Sequence, residues 1–338
     1  MRRSNPLLPA EYIQNVLSND IMQDFESSIS NPDSHAFRIS MRNWIKPLSP
    51  DSPFAFRDPT QADGFTQEAK RTYLHFHAKE GDVLSVSEML TFGATPNMED
   101  SSGKTPLHLV AHEMIMVKNP RITVLKADGS GITNKGRLYA RLAWVLRILV
   151  EQHANVNIVI DDDSLLNLSC SWEDWDIITL LLKHGATPSP GSVYRFTSST
   201  DQKRFSDLVK SFEGRSRPPR ICPCWSGKTV RECHAKSSLP YPLKYMCVCG
   251  STKSYEVCCY KRGKFVSEKW DQKTQRNLLT YDDIRPVPPN AVTAQHALAA
   301  ELLKKGLIDA AFAHAMGKTE FVPMYVFFFC FCFAHYCI

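Results

Sequence analysis

Residues 222–234, CPCWSGKTVRECH, combine two kinds of chemistry in one short stretch. Gly227-Lys228-Thr229 is typical of a phosphate-binding loop, whereas cysteine and histidine are ligand types that zinc prefers. A phosphate-binding loop also needs a second glycine five positions before Gly227, where this chain has Cys222. It needs a preceding strand as well, and residues 215–220, RSRPPR, contain two adjacent prolines. The sequence therefore favours metal binding over nucleotide binding.

The cysteines recur in a frame, C-x-C-x8-C-[HC], that is repeated 25 positions further along the chain. Each copy supplies four ligands, the complement of a closed tetrahedral zinc site. Because a closed site leaves no position open for water, we expect the two Zn²⁺ ions to be structural and not catalytic. The predicted metal ligands are Cys222, Cys224, Cys233 and His234 in the first copy, and Cys247, Cys249, Cys258 and Cys259 in the second.

A disulfide framework is the alternative for seven cysteines that lie so close together. Seven thiols would leave one unpaired, and the remaining cysteines, Cys170, Cys330, Cys332 and Cys337, lie far away along the chain. The first residues, MRRSNPLLPAEY, contain no apolar stretch of the signal-peptide type, which favours a reducing compartment. We therefore expect thiolates on zinc in an intracellular protein, cytoplasmic or nuclear.

Both stretches resemble the SEC-C motif, the short zinc-binding tail of the bacterial preprotein translocase motor SecA, which also occurs in many otherwise unrelated proteins. CPCWSGKTVRECH is the better match, and CVCGSTKSYEVCC at 247–259 is a looser one. The resemblance implies that the eight residues above ligate the metal and that the segment binds a partner instead of catalysing a reaction. Trp225 and Thr252 replace glycines usual in the family, and neither occupies a ligand position.

An internal repeat with a period of 33 residues runs through the middle of the chain. TYLHFHA from Thr72 aligns with TPLHLVA from Thr105, and SLLNLSC from Ser164 aligns with both after an insertion. The pattern resembles three ankyrin repeats over residues 70–192, in which each helix pair buries its apolar face against its neighbours. The resemblance implies that His75 and His108 tie neighbouring loops together, whereas Asn167 replaces them in the third repeat. It also places partner contacts in the loops near 95–104 and 155–163.

The fold class predicted is mainly α: an ankyrin-repeat helical solenoid, then a small zinc-stabilised module with two tandem sites and a C-terminal helix. β-branched residues around Asp128-Gly129 suggest a hairpin in the insertion. The predicted regions are an N-terminal helical or irregular capping region (1–69), the ankyrin repeats (70–192) with an insertion near 116–137, a helix and linker (193–219), the zinc module (220–262), an accessory helical region (263–320) and an apolar tail (321–338).

The tail ends in MYVFFFCFCFAHYCI, residues 324–338, which is almost wholly apolar. This stretch is shorter than the roughly 20 residues that a helix needs to cross a bilayer, so we do not expect a membrane partner. It is compatible with a weak tail anchor, a buried strand or a segment outside the native design. The abrupt change in composition favours the last of these.

Charge is unevenly distributed along the chain. Residues 203–273 contain sixteen Lys and Arg against six Asp and Glu, whereas the whole chain carries a net charge of +5. A basic zinc module suits RNA, a ribosome or an acidic protein surface, although we find no aromatic-basic RNA signature in the sequence.

The sequence offers no nucleophile beside a base and no open metal site, which predicts a protein that is not an enzyme and has no small-molecule substrate. We expect an adaptor that binds a protein partner through its ankyrin surface and carries a structural zinc module. The alternative is an RNA- or ribosome-associated protein that acts through residues 203–273.

Overall fold

The computed structural model describes residues 8–23, 25–30, 71–124, 132–188, 194, 196–245, 247–249, 251, 253–273, 275–281, 300 and 304. The described residues up to Tyr281 belong to one compact unit, which is rich in helices and has two small antiparallel sheets. Its helices are α1 (Ala10–Leu17), α2 (Tyr73–Glu80), α3 (Val83–Thr91), α4 (Pro106–Lys118), α5 (Lys135–Glu151), α6 (Leu165–Ser171), α7 (Trp175–Lys183) and α8 (Ser199–Phe212). Its strands are β1 (Val159–Ile160), β2 (Asp163–Ser164), β3 (Leu239–Pro240), β4 (Val266–Asp271) and β5 (Arg276–Tyr281).

Helices α2 to α7 form three pairs, and the first two pairs begin with the same cap. The backbone N–H groups of Thr72 and Thr105 donate to Nδ1 of His75 and His108, at 3.1 and 3.0 Å. Burial lowers the pKa of both histidines, which keeps the rings neutral and leaves Nδ1 able to accept. Nε2 of His75 then donates to the carbonyl of Lys104 at 3.0 Å. This bond ties the first pair to the loop that precedes the second.

The third pair uses a different tether, as the replacement of histidine by asparagine predicts. Ser164 caps α6 by accepting from the backbone N–H of Asn167 at 3.1 Å. The side-chain amide of Asn167 turns back to donate to the Asp163 carboxylate at 2.5 Å. The shorter side chain of Asn167 therefore makes a hydrogen bond within its own loop. His75 in the first pair instead reaches the loop before the second pair.

The second helix of each pair ends in the same backbone turn. Gly93, His153 and Gly185 have φ values of 92°, 69° and 89°, the left-handed region that favours glycine. In each case the next N–H, that of an alanine, donates back to a carbonyl near the end of the helix. Glycine is required most clearly at Gly93, where an added Cβ would lie 2.6 Å from a side-chain carbon of Arg276.

Two asparagines link successive loops on one edge of the array that the three helix pairs form. The side chain of Asn97 accepts from the N–H of Asn155 at 2.6 Å and donates to the carbonyl of His153 at 3.1 Å. Asn157 repeats the arrangement in the next loop with Thr187 and Gly185, at 2.9 and 3.1 Å. Neighbouring helix pairs are therefore held in register by side-chain to backbone hydrogen bonds, which satisfy loop polar groups that would otherwise need water.

The apolar faces of the helix pairs merge into one continuous core, which the N-terminal segment and α8 extend. Its fully buried centre is dominated by leucines, which pack well between helices. The largest of these buried side chains include Leu74, Leu84, Leu90, Leu107, Leu142, Leu146, Leu149, Leu165 and Leu166.

The N-terminal segment packs on this core through polar as well as apolar contacts. The carboxylate of Asp82, fully buried, accepts from Ser27 Oγ at 2.6 Å and from the Ser28 N–H at 2.8 Å, and it also caps α3. Tyr12 in α1 hydrogen-bonds Ser87 in α3 at 2.7 Å. Residues 8–30 thus cover the first helix pair. Most of the predicted region 1–69 lies outside the described residues.

One predicted region differs in the structure. Residues 263–320 are predicted to form an accessory helical region, but β4 and β5 form an antiparallel hairpin within it, and β3 pairs with β4. Val266, Glu268 and Trp270 are buried while the residues between them are more exposed, so β4 has the two-residue period of a strand that is covered on one face. The predicted helix at 291–315, apart from Ala300 and Lys304, and the apolar stretch at 324–338 lie outside the described residues.

The insertion between α4 and α5 closes as a loop. The N–H of Thr133 donates to the carbonyl of Val124 at 2.8 Å, and Asn134 then caps α5. The predicted hairpin tip at Asp128-Gly129 lies outside the described residues.

Candidate metal centres

The structure brings the eight predicted ligands together as two separate clusters of four. In each cluster the potential ligand atoms all lie within 4.8 Å of one another. The first cluster consists of Cys222, Cys224, Cys233 and His234, and the second of Cys247, Cys249, Cys258 and Cys259. None of the eight cysteines among the described residues forms a disulfide.

The spacing of donor atoms in the first cluster fits a tetrahedral metal. Sulfur ligands about 2.3 Å from zinc lie about 3.8 Å from one another, and a nitrogen ligand lies somewhat closer. Here the sulfurs of Cys224 and Cys233 are 3.6 Å apart, and Nδ1 of His234 is 3.3 Å from the sulfurs of Cys222 and Cys233. Four donors around one centre could hold a zinc ion and would leave no position open on it.

The loop that carries Cys222 is closed by the residues that suggested a phosphate-binding loop. The N–H of Cys222 donates to the carbonyl of Lys228 at 2.8 Å, and Gly227 takes a left-handed φ of 74° in the turn between them. Thr229 then starts the turn that leads to the last two ligands, and its hydroxyl donates to the Glu232 carboxylate at 2.8 Å. The Gly-Lys-Thr tripeptide therefore shapes the candidate metal centre.

The second loop repeats the hydrogen bonds of the first at an offset of 25 residues. Cys247 N–H donates to the carbonyl of Lys253 at 2.9 Å, and Cys258 N–H to that of Tyr255 at 3.1 Å. The equivalent bonds in the first loop run from Cys222 to Lys228 and from Cys233 to Val230. Its sulfurs are comparably spaced, with Cys249 and Cys258 3.5 Å apart. The two clusters are therefore structural duplicates, which the spacing of the cysteines predicts.

Neighbouring groups lower the pKa of one thiol in each cluster. The hydrogen bond with Cys222 lowers the pKa of Cys224 and raises that of Cys222, because the two sulfurs share one proton. Burial is the largest influence on Cys249 and raises its pKa, but hydrogen bonds, first among them that of Ser251, outweigh burial and lower the pKa to about 6. Each cluster thus contains a thiol that ionises readily and can serve as a first metal ligand.

Glu268 contacts a candidate ligand of the first cluster and is not predicted from the sequence. Its carboxylate Oε2 lies 3.2 Å from Nε2 of His234, on the side of the ring away from the sulfurs. Both side chains are buried. A carboxylate in this place fixes the ring with Nδ1 towards the sulfurs of the cluster. It would also make Nδ1 a stronger metal ligand. The available signal is a glutamate on the buried face of an alternating strand, between Val266 and Trp270.

Trp225 joins the first loop to the helical array, which the sequence analysis also missed. It has a φ of 59°, in the region where glycine is favoured, which explains why glycine is usual in the resembling motif. The strain is offset by contacts of the indole ring. Its Nε1 donates to Thr91 Oγ1 at 2.9 Å, and its ring stacks on Tyr12 with centroids 5.2 Å apart.

The linker before the two cysteine-containing loops also contacts the helix pairs. The Arg217 guanidinium donates to the carbonyls of Val150 and Ala154 at 2.9 and 2.8 Å, where α5 ends. Gln152 donates to the carbonyl of Ile221, the residue before the first ligand, at 2.8 Å. These hydrogen bonds at the end of α5, together with the bond from Trp225 to Thr91 in α3, hold the first candidate metal centre against two helix pairs.

The two loops predicted to contact a partner differ in shape. In the first, Asp100 organises residues 100–104 by accepting from the N–H groups of Ser102 and Lys104 at 2.8 and 3.0 Å. The second contains the β1–β2 hairpin, whose tip, Asp161-Asp162, has φ values of 49° and 69°. Two left-handed residues at the tip give a tight turn that matches the twist of the strands.

Comparisons with known proteins give partial matches. The chain is 32% identical over 130 residues to human neurogenic locus notch homolog protein 1, a protein that contains ankyrin repeats. The match covers 36% of this chain and 5% of that protein. The homologs from Cricetulus griseus and Mus musculus match with the same identity and coverage. No family model and no solved structure matches the chain.

None of the helices among the described residues combines the length and the apolar composition that crossing a bilayer demands.

Proposed function

We propose that this protein is a non-catalytic adaptor that binds a protein partner through an ankyrin-type array of helix pairs. The observation that carries the proposal is the repetition of hydrogen bonds from one pair to the next. The Thr-histidine cap occurs at Thr72 and Thr105, and the loop asparagine at Asn97 and Asn157. The partial similarity to notch homolog protein 1 supports the same interpretation.

An array of this kind recognises partners by shape and surface charge, with loops that a rigid core holds in place. The loops at 95–104 and 155–163 project from the same edge of the array that the asparagines organise. The exposed acidic side chains there, Glu99, Asp161, Asp162 and Asp163, suit a partner surface that carries basic residues.

The zinc module has a structural part in this proposal. Two Zn²⁺ ions would be held by the eight clustered ligands, and each ion would fix the fold of its loop. With four protein ligands per ion, neither ion has a position for a substrate or for an activated water. We therefore propose that the chain is not an enzyme and acts on no small-molecule substrate. Thiolate ligands suit a reducing compartment, cytoplasmic or nuclear.

The proposal is tested by removing the charge of the hairpin tip without changing its backbone. In the variant Asp161→Asn/Asp162→Asn, asparagine tolerates the left-handed conformation of both positions. The matched control is Asp207→Asn/Glu213→Gln, which removes the same charge from exposed positions in and just after α8. Cross-linking of the tagged full chain in cells, followed by mass spectrometry, identifies the partners of each form.

We expect at least one directly cross-linked protein to be recovered with the wild type and the control but depleted with the hairpin variant. Equal recovery of every cross-linked protein with all three forms would contradict a role for this loop. Cross-links that arise from the zinc module alone would favour a different binding surface.

A further inference from the structure

The second zinc loop carries an unusual share of the exposed apolar side chains. The exposed large hydrophobic residues of the described chain include Leu243, Val257, Tyr260 and Phe265, which are 39–57% exposed and all lie around the second metal cluster. The N–H of Glu256 donates to the carbonyl of Leu243, so these segments are neighbours. Apolar surface gathered in one place indicates a binding surface more often than scattered residues do.

Two aromatic rings form the centre of this patch. Tyr260 and Phe265 are separated by a short turn in which Gly263 has a φ of 71°. The turn brings the ring centroids to 5.7 Å with an interplanar angle of 87°. Behind them Tyr260 contacts the buried Tyr255, whose hydroxyl is bonded to the backbone on both sides. Buried Tyr255 therefore supports the pair from the inside of the loop, while Tyr260 and Phe265 remain exposed to solvent.

Basic residues lie between the two rings along the chain. Residues 260–265 read Tyr-Lys-Arg-Gly-Lys-Phe, and Lys253, Lys261 and Arg262 are exposed. Between Tyr241 and Phe265 the chain has five Lys and Arg and one acidic residue, Glu256. Four thiolates on one Zn²⁺ ion would contribute a charge of −2, so a positive surplus of two remains. The pairing of the rings depends on the turn, so the sequence alone carries no aromatic-basic signature here.

We propose that this aromatic-basic surface, Lys253 and residues 260–265, binds single-stranded nucleic acid. Each nucleotide offers a flat base that can stack on an exposed ring and a phosphate that can pair with the adjacent lysine or arginine. An acidic peptide would match the charge but gives no reason for two exposed rings held edge to face. The proposal needs the second loop to be folded and is independent of the ankyrin-type array.

The test uses the full zinc-loaded chain and a fluorescein-labelled oligouridylate of about 16 nucleotides, the upper end of the length that a small binding module covers. Fluorescence anisotropy gives the Kd at about 50 mM and about 200 mM salt. The variants are Tyr260→Ala/Phe265→Ala, which removes both rings, and Lys261→Gln/Arg262→Gln, which removes two charges. The matched controls are Tyr260→Phe, which keeps the ring, and Lys203→Gln/Lys210→Gln, which removes two exposed charges from α8.

We expect the ring variant to weaken binding by at least about fivefold, because each stacked base contributes upwards of 1 kcal/mol. The charge variant should lower the salt slope by about 1.4, since each phosphate contact on a single strand contributes about 0.7. Both controls should bind as the wild type does. Zinc content and thermal unfolding of the ring variant verify that the loop stays folded.

Three results would overturn the proposal. The first is that the wild type fails to bind at about 50 mM salt. The second is binding that the loss of both rings leaves unchanged. The third is a poly-glutamate peptide that competes for the same site with an affinity equal to that of the oligonucleotide, which would assign the surface to an acidic protein instead. Each leaves the cross-linking result of the adaptor proposal unaffected, so the two proposals can fail separately.

Discussion

At the scale of single residues, Glu268 is placed to orient His234 as a candidate metal ligand. The 3.2 Å contact between Oε2 and Nε2 leaves Nδ1 facing the sulfurs of the first cluster. In Glu268→Gln the amide keeps the size of the side chain but removes its charge, so Nδ1 of His234 becomes a weaker metal ligand. We expect zinc affinity at the first site to fall by about 10- to 100-fold. Competition of the full chain against a chromophoric zinc chelator measures this loss.

The control for this variant is Glu256→Gln, which removes a carboxylate that is exposed beside the second cluster. An exposed carboxylate with no ligand to orient should leave both affinities within about twofold of the wild type. If Glu268→Gln and Glu256→Gln gave the same zinc affinities, Glu268 would have no orienting role.

The two clusters of candidate ligands are predictable from the sequence because the spacing of their residues is local. Cys222 and Cys224 are separated by one residue, and Cys233 and His234 are adjacent, so a single turn brings the pairs together. Glu268 lies 34 positions after His234, and it reaches the ring only because β4 pairs with β3 nearby. Trp225 is similar, since its partner Thr91 is 134 positions earlier in the chain. Contacts between distant segments leave no spacing to recognise.

At the scale of elements, one buried carboxylate accepts several of the hydrogen bonds that attach the N-terminal segment to the array. Asp82 accepts from Ser27 and Ser28 of that segment and from the N–H and the hydroxyl of Ser85 in α3. In Asp82→Asn the amide nitrogen faces two of these donors, so at least one hydrogen bond to the carboxylate is lost. We expect the free energy of unfolding to fall by about 2 kcal/mol, and residues 8–30 to become more sensitive to proteolysis. Urea unfolding and limited proteolysis measure the two effects.

Asp174 offers a matched control in the third helix pair. It caps α7 as Asp82 caps α3, but its second oxygen accepts from the hydroxyl of Tyr139 at 2.8 Å. A hydroxyl can turn to accept from an amide, so Asp174→Asn should cost less than about 1 kcal/mol. Equal losses for both variants would show that the tie to the N-terminal segment adds nothing.

The elements were predictable where the sequence pattern is periodic and local. Thr105-Pro106 and the histidine at 108 predict the start of α4, and the repeat predicts α2 in the same way. The strand β4 was not predicted, although Val266, Glu268 and Trp270 alternate with exposed residues. A glutamate on the buried face breaks the apolar alternation on which strand prediction depends. Its burial becomes favourable only once His234 is beside it.

At the scale of the whole molecule, the candidate metal centres and the helix pairs belong to one compact unit. The loop that carries the first cluster contacts α3 through Trp225 and Thr91, and it contacts the end of α5 through Gln152. The predicted linker at 193–219 is therefore more than a spacer, because Arg217 is bonded to the array. We expect loss of metal from the first site to destabilise helices that contribute no ligand.

Hydrogen exchange of the full chain tests this coupling between the zinc loop and the array. In Cys224→Ser/Cys233→Ser the first loop loses two sulfur ligands, so the contacts of Trp225 and Pro223 with α3 should weaken. We expect exchange in Val83–Thr91 to accelerate by about fivefold or more, equivalent to about 1 kcal/mol of lost protection, with α6 as the internal reference. The matched variant Cys249→Ser/Cys258→Ser opens the second site and should leave Val83–Thr91 unchanged. Equal protection of α3 in both variants would mean that the zinc loop rests on the array without stabilising it.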